Sequence, residues 1–193
     1  MAPKVRITKE EIVEGAIELV RQGGELALNA RNLAAALNCS TQPIFSNFSS
    51  MEELRMVVIT QIDQLCNQYI KREVESGVYP AYKASGMAYI RFAKEEGELF
   101  KLLYMRDRSQ EVESKEMELG DEMESILQDS TGLSGAEAEF FHLEMWAFVH
   151  GIATMFATGF LNLDWAVVSK MLTDVYQGLK QQLGMECEEN GCH

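Results

Sequence analysis

Apolar side chains recur every three or four positions along almost the whole chain, the spacing that places them on one face of an α-helix. No segment shows a convincing alternation of apolar and polar residues, and no hairpin dipeptide links two such segments. Three segments have the hydroxyl-to-glutamate spacing of a capping box at a helix start: Thr8 to Glu11, Ser50 to Glu53 and Ser134 to Glu137. The pattern therefore predicts an all-α fold.

Glycine, proline, asparagine and serine clusters divide this pattern into about nine helices. The predicted helices cover residues 8–22, 29–37, 41–47, 50–76, 81–95, 97–105, 110–130, 135–158 and 164–183. Nine helices in 193 residues fit a small N-terminal head followed by a larger helical bundle.

The segment 28–54 contains two short predicted helices joined by a tight turn, behind a longer first helix. Such a head binds DNA when its last helix enters the major groove. Asn29 and Ser40 are placed to cap the two short helices, Asn38 tolerates the left-handed backbone of a turn, and Pro43 falls in the first turn of the third helix. These features predict a helix-turn-helix.

The third helix has an inward and an outward side. Ile44 and Phe48, four positions apart, point inward. The outward positions are Thr41, Gln42, Phe45, Ser46 and Asn47.

At these residues the sequence resembles the tetracycline-repressor-like (TetR) family of transcription regulators. The resemblance covers about residues 8–56, and the family pattern is followed at Asn29, Arg31, Leu33, Ala34, Leu37, Asn38, Cys39, Ser40, Ile44, Phe45, Asn47, Phe48, Ser50, Glu52 and Leu54. The string W-x-x-x-H-G at 146–151 is similar to one in some C-terminal domains of the family. The resemblance implies a homodimer with a DNA-binding domain at 1–48 and a ligand-binding and dimerisation domain at 49–193.

Two positions depart from the family pattern. Phe45 replaces a tyrosine and so lacks a hydroxyl for phosphate, and Met51 replaces a lysine and so lacks a charge. Because the third helix has no lysine or arginine, phosphate contacts should come from uncharged side chains, helix N-termini and a basic arm. The side chains expected there are Thr41, Ser46 and Asn47, with Lys4, Arg6 and Lys9 in the arm.

Base recognition is expected from Gln42, which can pair with adenine, and from Arg31, which the resemblance places where the family often reaches guanine. Each has an alternative: Arg31 could bridge a phosphate or Glu25, and Gln42 could simply be solvated. Phe45 could contact a thymine methyl group or pack inside the head.

The charge distribution agrees with DNA binding at one end. The net charge is -13, yet residues 1–48 contain five basic and five acidic side chains and are neutral. The acidic body should repel phosphates, so DNA can approach only the head.

The body is rich in methionine and aromatic residues, which form either an ordinary core or the lining of a ligand pocket. The resemblance favours a pocket among the middle helices, suited to a small hydrophobic or aromatic effector. The residues expected to line it are Tyr89, Phe92, Phe100, Leu103, Tyr104, Met123, Phe141, His142 and Trp146. Arg91 and Arg106 either receive an acid group of the ligand or lie at the surface.

The last two long helices have small and apolar positions that suit a two-fold, four-helix dimer interface. Small residues on one and apolar residues on the other give the predicted interface: Ala147, Gly151, Thr158, Val167, Leu172, Val175 and Leu179.

An enzyme or metal protein is the alternative. Glu139-x-x-His142 has the spacing of a carboxylate-bridged di-iron site, but no other histidine has glutamate three positions before it. Cys187, Cys192 and His193 are few ligands on a polar tail. No nucleophile with its base and no phosphate loop is present, so we expect no enzyme activity, cofactor or metal. A helical ligand-binding or enzymatic protein with a degenerate head remains the second hypothesis.

The chain has no stretch long enough to span a membrane and no signal-peptide core, so a cytoplasmic protein is expected. The sequence does not name the effector, the operator or the regulated genes, and it leaves repressor and activator open.

Overall fold

The computed structural model describes residues 7–107 and 120–184. Within these ranges the chain forms nine α-helices, a short 3-10 turn at Glu25–Ala27 and no strand, which confirms the all-α prediction. The helices are α1 (Lys9–Gly23), α2 (Ala30–Ala36), α3 (Gln42–Asn47), α4 (Met51–Ser76), α5 (Ala81–Glu95), α6 (Gly97–Tyr104), α7 (Asp121–Thr131), α8 (Gly135–Ala157) and α9 (Trp165–Gln182). No helix in the described part of the chain is both long and apolar enough to cross a membrane.

The predicted capping boxes are realised to different extents. At α1 the Glu11 N–H donates to Thr8 Oγ1 at 3.1 Å and the Thr8 N–H donates to the Glu11 carboxylate at 2.8 Å, so this box is complete. At α4 the Ser50 hydroxyl accepts from the Glu53 N–H at 3.1 Å, but the Glu53 carboxylate accepts from the N–H and hydroxyl of Ser49.

The third predicted box, at Ser134, is wrong. Ser134 stands at the start of α8 but its side chain makes no capping hydrogen bond. The next residue, Gly135, has φ +58, outside the right-handed helical range that a normal first helical residue occupies. The residue after Ser134 therefore lacks the right-handed backbone from which a capping box is built.

The predicted helix over 110–130 is also corrected. In the described residues α7 begins at Asp121, after Gly120 in an extended conformation (φ -64, ψ 149). Acidic side chains in the first turn, including Asp121 and Glu122, stabilise a helix start at this point through the helix dipole. Residues 110–119 lie outside the described part of the chain.

The chain divides into two compact units. Within the described residues the first unit comprises 7–68 and 95–107, and the second comprises 69–94 and 120–184. Helix α4 therefore contributes residues to both units. The functional boundary between residues 48 and 49 stays a prediction.

The core of the first unit joins α1, α2, α3, α6 and the first part of α4. Its fully buried side chains include Ile12, Ala16, Val20, Leu33, Ile44, Leu54, Val58, Ile62, Leu99 and Phe100. Gly15 allows α1 and α2 to approach closely, because a Cβ at this position would lie 3.0 Å from the Leu37 side chain. This packing fixes the two short helices against the longer first helix.

The second unit is built around α5. Tyr82 and Tyr89 of α5 contact His142 and His150 of α8 in the same order, so these two helices run parallel. Gly86 lies between them at the closest point, where a Cβ would be 3.0 Å from Leu172 of α9 and 3.4 Å from Val149 of α8.

Helix α9 runs antiparallel to α5. Tyr82, near the start of α5, contacts Tyr176, near the end of α9, while Arg91 contacts Trp165 at the start of α9. Side chains of α5 thus contact α8 on one side and α9 on the other.

Candidate functional site

Helices α2 and α3 are joined by the turn that the sequence predicts. Asn29 caps α2 by accepting from the Asn32 N–H at 3.0 Å, and Asn38 adopts a left-handed backbone with φ 50. Pro43 lies in the first turn of α3, as predicted. The predicted cap at Ser40 is wrong: α3 begins one residue later, and Thr41 at its cap position makes no side-chain capping bond.

Helix α3 has one buried side and one exposed side. Ile44 is fully buried and Phe48 nearly so, with Lys9 Nζ 4.8 Å from the centre of the Phe48 ring. Thr41, Gln42, Phe45 and Ser46 are exposed and Asn47 is half-buried. Phe45 is 49% exposed, so it is not part of the head's core.

Two polar side chains of α3 bond to their own helix. The Ser46 hydroxyl donates to the Gln42 carbonyl at 2.9 Å, and Asn47 Nδ2 donates to the Pro43 carbonyl at 2.8 Å. A bond to phosphate would require the Ser46 hydroxyl to turn its only donor away from the helix, whereas Asn47 Nδ2 has a second N–H that this bond does not use. In the described residues Gln42 makes no side-chain hydrogen bond of its own.

Arg31 and Glu25 lie near the start of α2, but they do not pair. The Glu25 carboxylate instead accepts from Arg55 of α4, which also lies 3.5 Å from Glu52. Within the described residues Arg31 is exposed and makes no ion pair. Sequence reasoning missed Arg55, although it lies four positions after Met51, the distance that puts two residues on one helix face. Lys4 and Arg6 lie outside the described residues.

The second unit contains two tyrosine–histidine hydrogen bonds between α5 and α8. Tyr82 Oη lies 3.0 Å from His142 Nδ1, and Tyr89 Oη lies 2.9 Å from His150 Nδ1. The Trp146 ring stacks on the His150 ring, with centroids 4.7 Å apart and planes 19° apart. His142, Trp146 and His150 follow each other at four-residue intervals, so they share one side of α8.

Burial keeps these pairs uncharged. Burial lowers the pKa of His142 and of His150, and it raises the pKa of the Tyr82 phenol. At neutral pH both histidines are therefore neutral and the phenol is protonated. A neutral imidazole beside a half-buried indole suits an apolar or aromatic molecule better than a highly charged one.

The residues predicted to line a ligand pocket do not all belong to one unit. Tyr89, Phe92 and Phe141 are buried in the second unit, His142 and Trp146 are half-buried there, and Met123 packs against its core. The remaining three, Phe100, Leu103 and Tyr104, belong to the first unit. There Tyr104 Oη donates to Cys66 Sγ at 3.7 Å.

Sequence reasoning missed three aromatic residues of the second unit: His150, which lies in one row with His142 and Trp146 on α8, and Tyr82 and Tyr176, which lie beside that row. Tyr176 lies 6.0 Å from Tyr82 and 5.7 Å from Phe141 between ring centres, and its hydroxyl donates to the Ser130 carbonyl. The signal for the first two was the regular spacing of Tyr82 to Tyr89 on α5 and of His142 to His150 on α8.

The predicted dimer residues differ in exposure. Ala147 of α8 and Thr158, the residue after this helix, are exposed, and Gly151 has open space where a side chain would project. Phe140 and Leu143, on the same side of this helix, are 61% and 45% exposed. An apolar strip therefore runs along α8 with no partner in the described part of the chain.

On α9 Val167 is 46% exposed, while Leu172 is only 2% exposed because it packs beside Gly86. Val175 and Leu179 are half-buried against the core around Tyr82 and Phe141. Leu172 thus contributes to the core of its own chain, and its part in a dimer stays an untested prediction.

The di-iron spacing does not develop into a metal site in the described residues. Glu139 is exposed, and His142 directs Nδ1 to Tyr82. No group of three or more histidine, cysteine, aspartate or glutamate side chains is gathered in the described ranges. Cys187, Cys192 and His193 lie outside them.

Comparison with known proteins agrees with this geometry. Residues 82–175 match the model of the family described as "Tetracyclin repressor-like, C-terminal domain". The match covers just under half of the chain and concerns its C-terminal part. The matched region runs from α5 into α9, so it contains both tyrosine–histidine pairs and the apolar strip of α8.

A solved structure resembles nearly the whole chain. A TetR-like transcriptional regulator from Rhodococcus sp. RHA1 superimposes with a TM-score of 0.66 over 95% of this chain and 100% of that chain, at 17% sequence identity. This likeness shows a shared fold. No curated protein sequence matches the chain. The match to this family's C-terminal domain supports a DNA-binding regulator.

Proposed function

We propose that this protein is a TetR-like, ligand-responsive transcription regulator of the cytoplasm, a repressor that leaves a pseudo-palindromic operator when a small hydrophobic or aromatic molecule binds. The observation that carries the proposal is the division of α3, in which Ile44 and Phe48 anchor the helix while Gln42, Phe45 and Ser46 remain exposed. A short helix held in this way can present its outer side chains to the major groove.

Base recognition in this proposal comes from Gln42 and Arg31. Both are exposed, and neither side chain is engaged by another described residue. A glutamine amide can pair with adenine through two hydrogen bonds, and an arginine can do the same with guanine. Phe45, also exposed, is available for a thymine methyl group.

Phosphate contacts come from Thr41, Ser46, Asn47 and the arm of Lys4 and Arg6. The Ser46 hydroxyl exchanges its intrahelical bond for a bond to a phosphate oxygen when DNA is present, and Asn47 donates its second amide N–H. With no lysine or arginine on α3, the number of phosphates neutralised is small, so affinity should depend less steeply on salt than for a lysine-rich protein.

Dimerisation in this proposal uses the apolar strip of α8 together with Val167 of α9. Large exposed apolar side chains such as Phe140 and Leu143 are typical of a surface that is covered by a partner. A second copy is the occupant proposed here, because two identical heads match the two half-sites of a palindrome.

The effector is proposed to bind beside the row of His142, Trp146 and His150 in the second unit. Stacking on the indole and hydrogen bonding to an imidazole would hold a planar, largely uncharged molecule. To release DNA, the molecule must bind the form with low DNA affinity more tightly. A tenfold loss of operator affinity needs about 1.4 kcal/mol of difference.

The test is selection from random duplexes with the full-length protein, followed by a gel shift with the selected sequence. Enrichment of a two-fold symmetric sequence with half-site centres roughly 34 to 36 Å apart, or a multiple of this, supports the proposal. A selection that returns no enriched sequence contradicts it. That outcome favours the second hypothesis, a helical ligand-binding or enzymatic protein whose head no longer binds DNA. Phe45 and Met51, which depart from the family pattern, would then be the changes that removed DNA binding.

A further inference from the structure

A second group of side chains, away from the tyrosine–histidine row, gathers two cations on one aromatic surface. Arg91 and Lys94 lie one turn apart near the C-terminal end of α5. The guanidinium carbon of Arg91 is 4.9 Å from the centre of the Trp165 ring, and Lys94 Nζ is 5.1 Å from the same centre. Both cations therefore meet the first residue of α9.

Phe156, near the end of α8, completes this surface. Its ring stacks with that of Trp165 at 5.8 Å between centres and 26° between planes, and Lys94 Nζ lies 5.2 Å from its centre. Neither ring is fully buried, and Lys94 is exposed. Two stacked aromatic rings flanked by two cations are thus accessible from solvent.

The charges of the group do not balance. In the described part of the chain, Glu73 is the one carboxylate within ion-pair distance of either cation, 3.5 Å from Arg91 Nε. The carboxylate of Asp164, next to Trp165 in sequence, is used to cap α9 through the Ala166 N–H. A positive surplus remains at this place in a chain whose net charge is -13.

One donor of the group is also unsatisfied. Arg91 Nε is buried, and it makes no hydrogen bond with the described residues, although a Glu73 carboxylate oxygen lies 3.5 Å away. A buried N–H without an acceptor costs free energy, and most such groups in proteins have a partner.

We propose that Arg91, Lys94, Phe156 and Trp165 form a binding site for an aromatic carboxylate. The carboxylate lies between the Arg91 guanidinium and the Lys94 ammonium, and the flat ring packs against the Phe156 and Trp165 rings. Arginine suits this role because its planar group donates two parallel hydrogen bonds to a carboxylate. The site does not depend on DNA binding and is distinct from the proposed effector site.

A purely structural role is the competing explanation, in which the cations only hold the ends of α8 and α9 against α5. The two explanations differ in one respect: a structural clamp has no reason to distinguish a carboxylate from the corresponding amide. The probes are therefore benzoate and 2-naphthoate, each compared with benzamide and 2-naphthamide at equal ionic strength.

The experiment titrates the full-length protein by calorimetry and by tryptophan emission in a Trp146→Phe background, which leaves Trp165 as the remaining one of two tryptophans. We expect saturable binding of the carboxylates and none of the amides. Lys94→Gln should weaken binding, and Arg91→Lys, which keeps the charge but loses the planar donor pair, should weaken it about tenfold or more. Lys170→Gln, an exposed lysine paired with Asp174 on α9, is the matched control and should bind as the wild type does.

Three results would overturn the proposal: no saturable binding of either carboxylate up to millimolar concentration, equal binding of acids and amides, or wild-type affinity in both Arg91→Lys and Lys94→Gln. If these variants only lower the unfolding temperature while the protein shows no response to the acids, the group is a structural clamp. None of these results depends on whether the protein recognises an operator.

Discussion

Arg21 in the last turn of α1 forms a two-point ion pair with Glu96 at the start of α6. Its Nε lies 2.8 Å and its Nη2 3.2 Å from the two carboxylate oxygens, although the residues are 75 positions apart in sequence. The pair joins the first helix to a segment from the middle of the chain within one compact unit. Side chains on α1 and α6 are therefore linked by more than apolar packing.

We expect a double-mutant cycle with Arg21→Gln and Glu96→Gln to give a coupling energy of about 0.5 to 1 kcal/mol in the free energy of unfolding. The value is modest because the Arg21 side chain is 39% exposed, although that of Glu96 is only 14% exposed. The measurement is urea unfolding at low salt and again at about 1 M salt, where the coupling should shrink. A cycle of Arg21→Gln with Glu18→Gln, a fully exposed partner on the same helix, should give a smaller coupling; an equal one would contradict the prediction.

Thr8 and Ser134 have the same spacing to a glutamate, but their hydroxyls should contribute differently to the free energy of unfolding. Thr8→Ala removes an observed capping bond and should lower the free energy of unfolding by about 1 kcal/mol. Ser134→Ala removes a hydroxyl that makes no capping bond and should leave the free energy nearly unchanged. Chemical denaturation of both variants checks this, and equal losses would show that the Ser134 hydroxyl does cap α8 in solution.

Stability should fall on mild acidification because of His142. Burial lowers its pKa in the folded state, so the unfolded state takes up a proton first as the pH falls below about 6.5. The contribution is fully present above this pH and is lost as the pH drops toward the lowered pKa of the folded state. His142→Gln, which cannot titrate, should give a flatter profile of unfolding midpoint between about pH 5 and pH 7.5. A profile as steep as that of the wild type would show that other groups cause the loss.

Discrimination between operator sequences should depend on Gln42 and Arg31. Replacing either with alanine should cost about 1 to 3 kcal/mol at one base pair of each half-site and leave the other positions unchanged. Binding to the selected operator and its single-base variants measures this. The control is Gln61→Ala, which replaces an exposed glutamine on α4 rather than on α2 or α3. It should leave the affinity for every operator variant unchanged. A uniform loss across all sequences would mean that the two residues contact only phosphate.

The dimer should be weakened by a large side chain at Gly151. A Cβ at this position would meet no atom of its own chain within 4 Å, so Gly151→Leu should fold, but its side chain would stand in the way of a partner at the apolar strip. Operator affinity should fall with it, because the two half-sites are then held independently. Sedimentation at micromolar concentration checks the dimer. Gln64→Leu, an exposed position on α4, is the control, and an unaltered Gly151→Leu dimer would place the interface elsewhere.

The sequence by itself determined the helices and the orientation of their side chains. Local signals decide these features: the Asn29 cap, the left-handed Asn38 and the four-residue interval from Ile44 to Phe48 depend on neighbours a few positions away. The resemblance at residues 8–56 was a local pattern as well. The prediction at Ser134 failed although its spacing was right, because the hydrogen bond depends on the backbone angle of Gly135.

Only the tertiary structure decided which distant groups meet. The pairing of Tyr82 with His142, of Glu25 with Arg55 and of Arg91 with Trp165 depends on the order and register of packed helices, which no local pattern encodes. The same is true of exposure on α9, where Val167 faces outward and Leu172 lies against Gly86. Both are apolar residues on one amphipathic helix. The helical period predicts that the side chains of Val167 and Leu172 point in different directions. The close approach of α5 at Gly86 decides that Leu172 is the buried one.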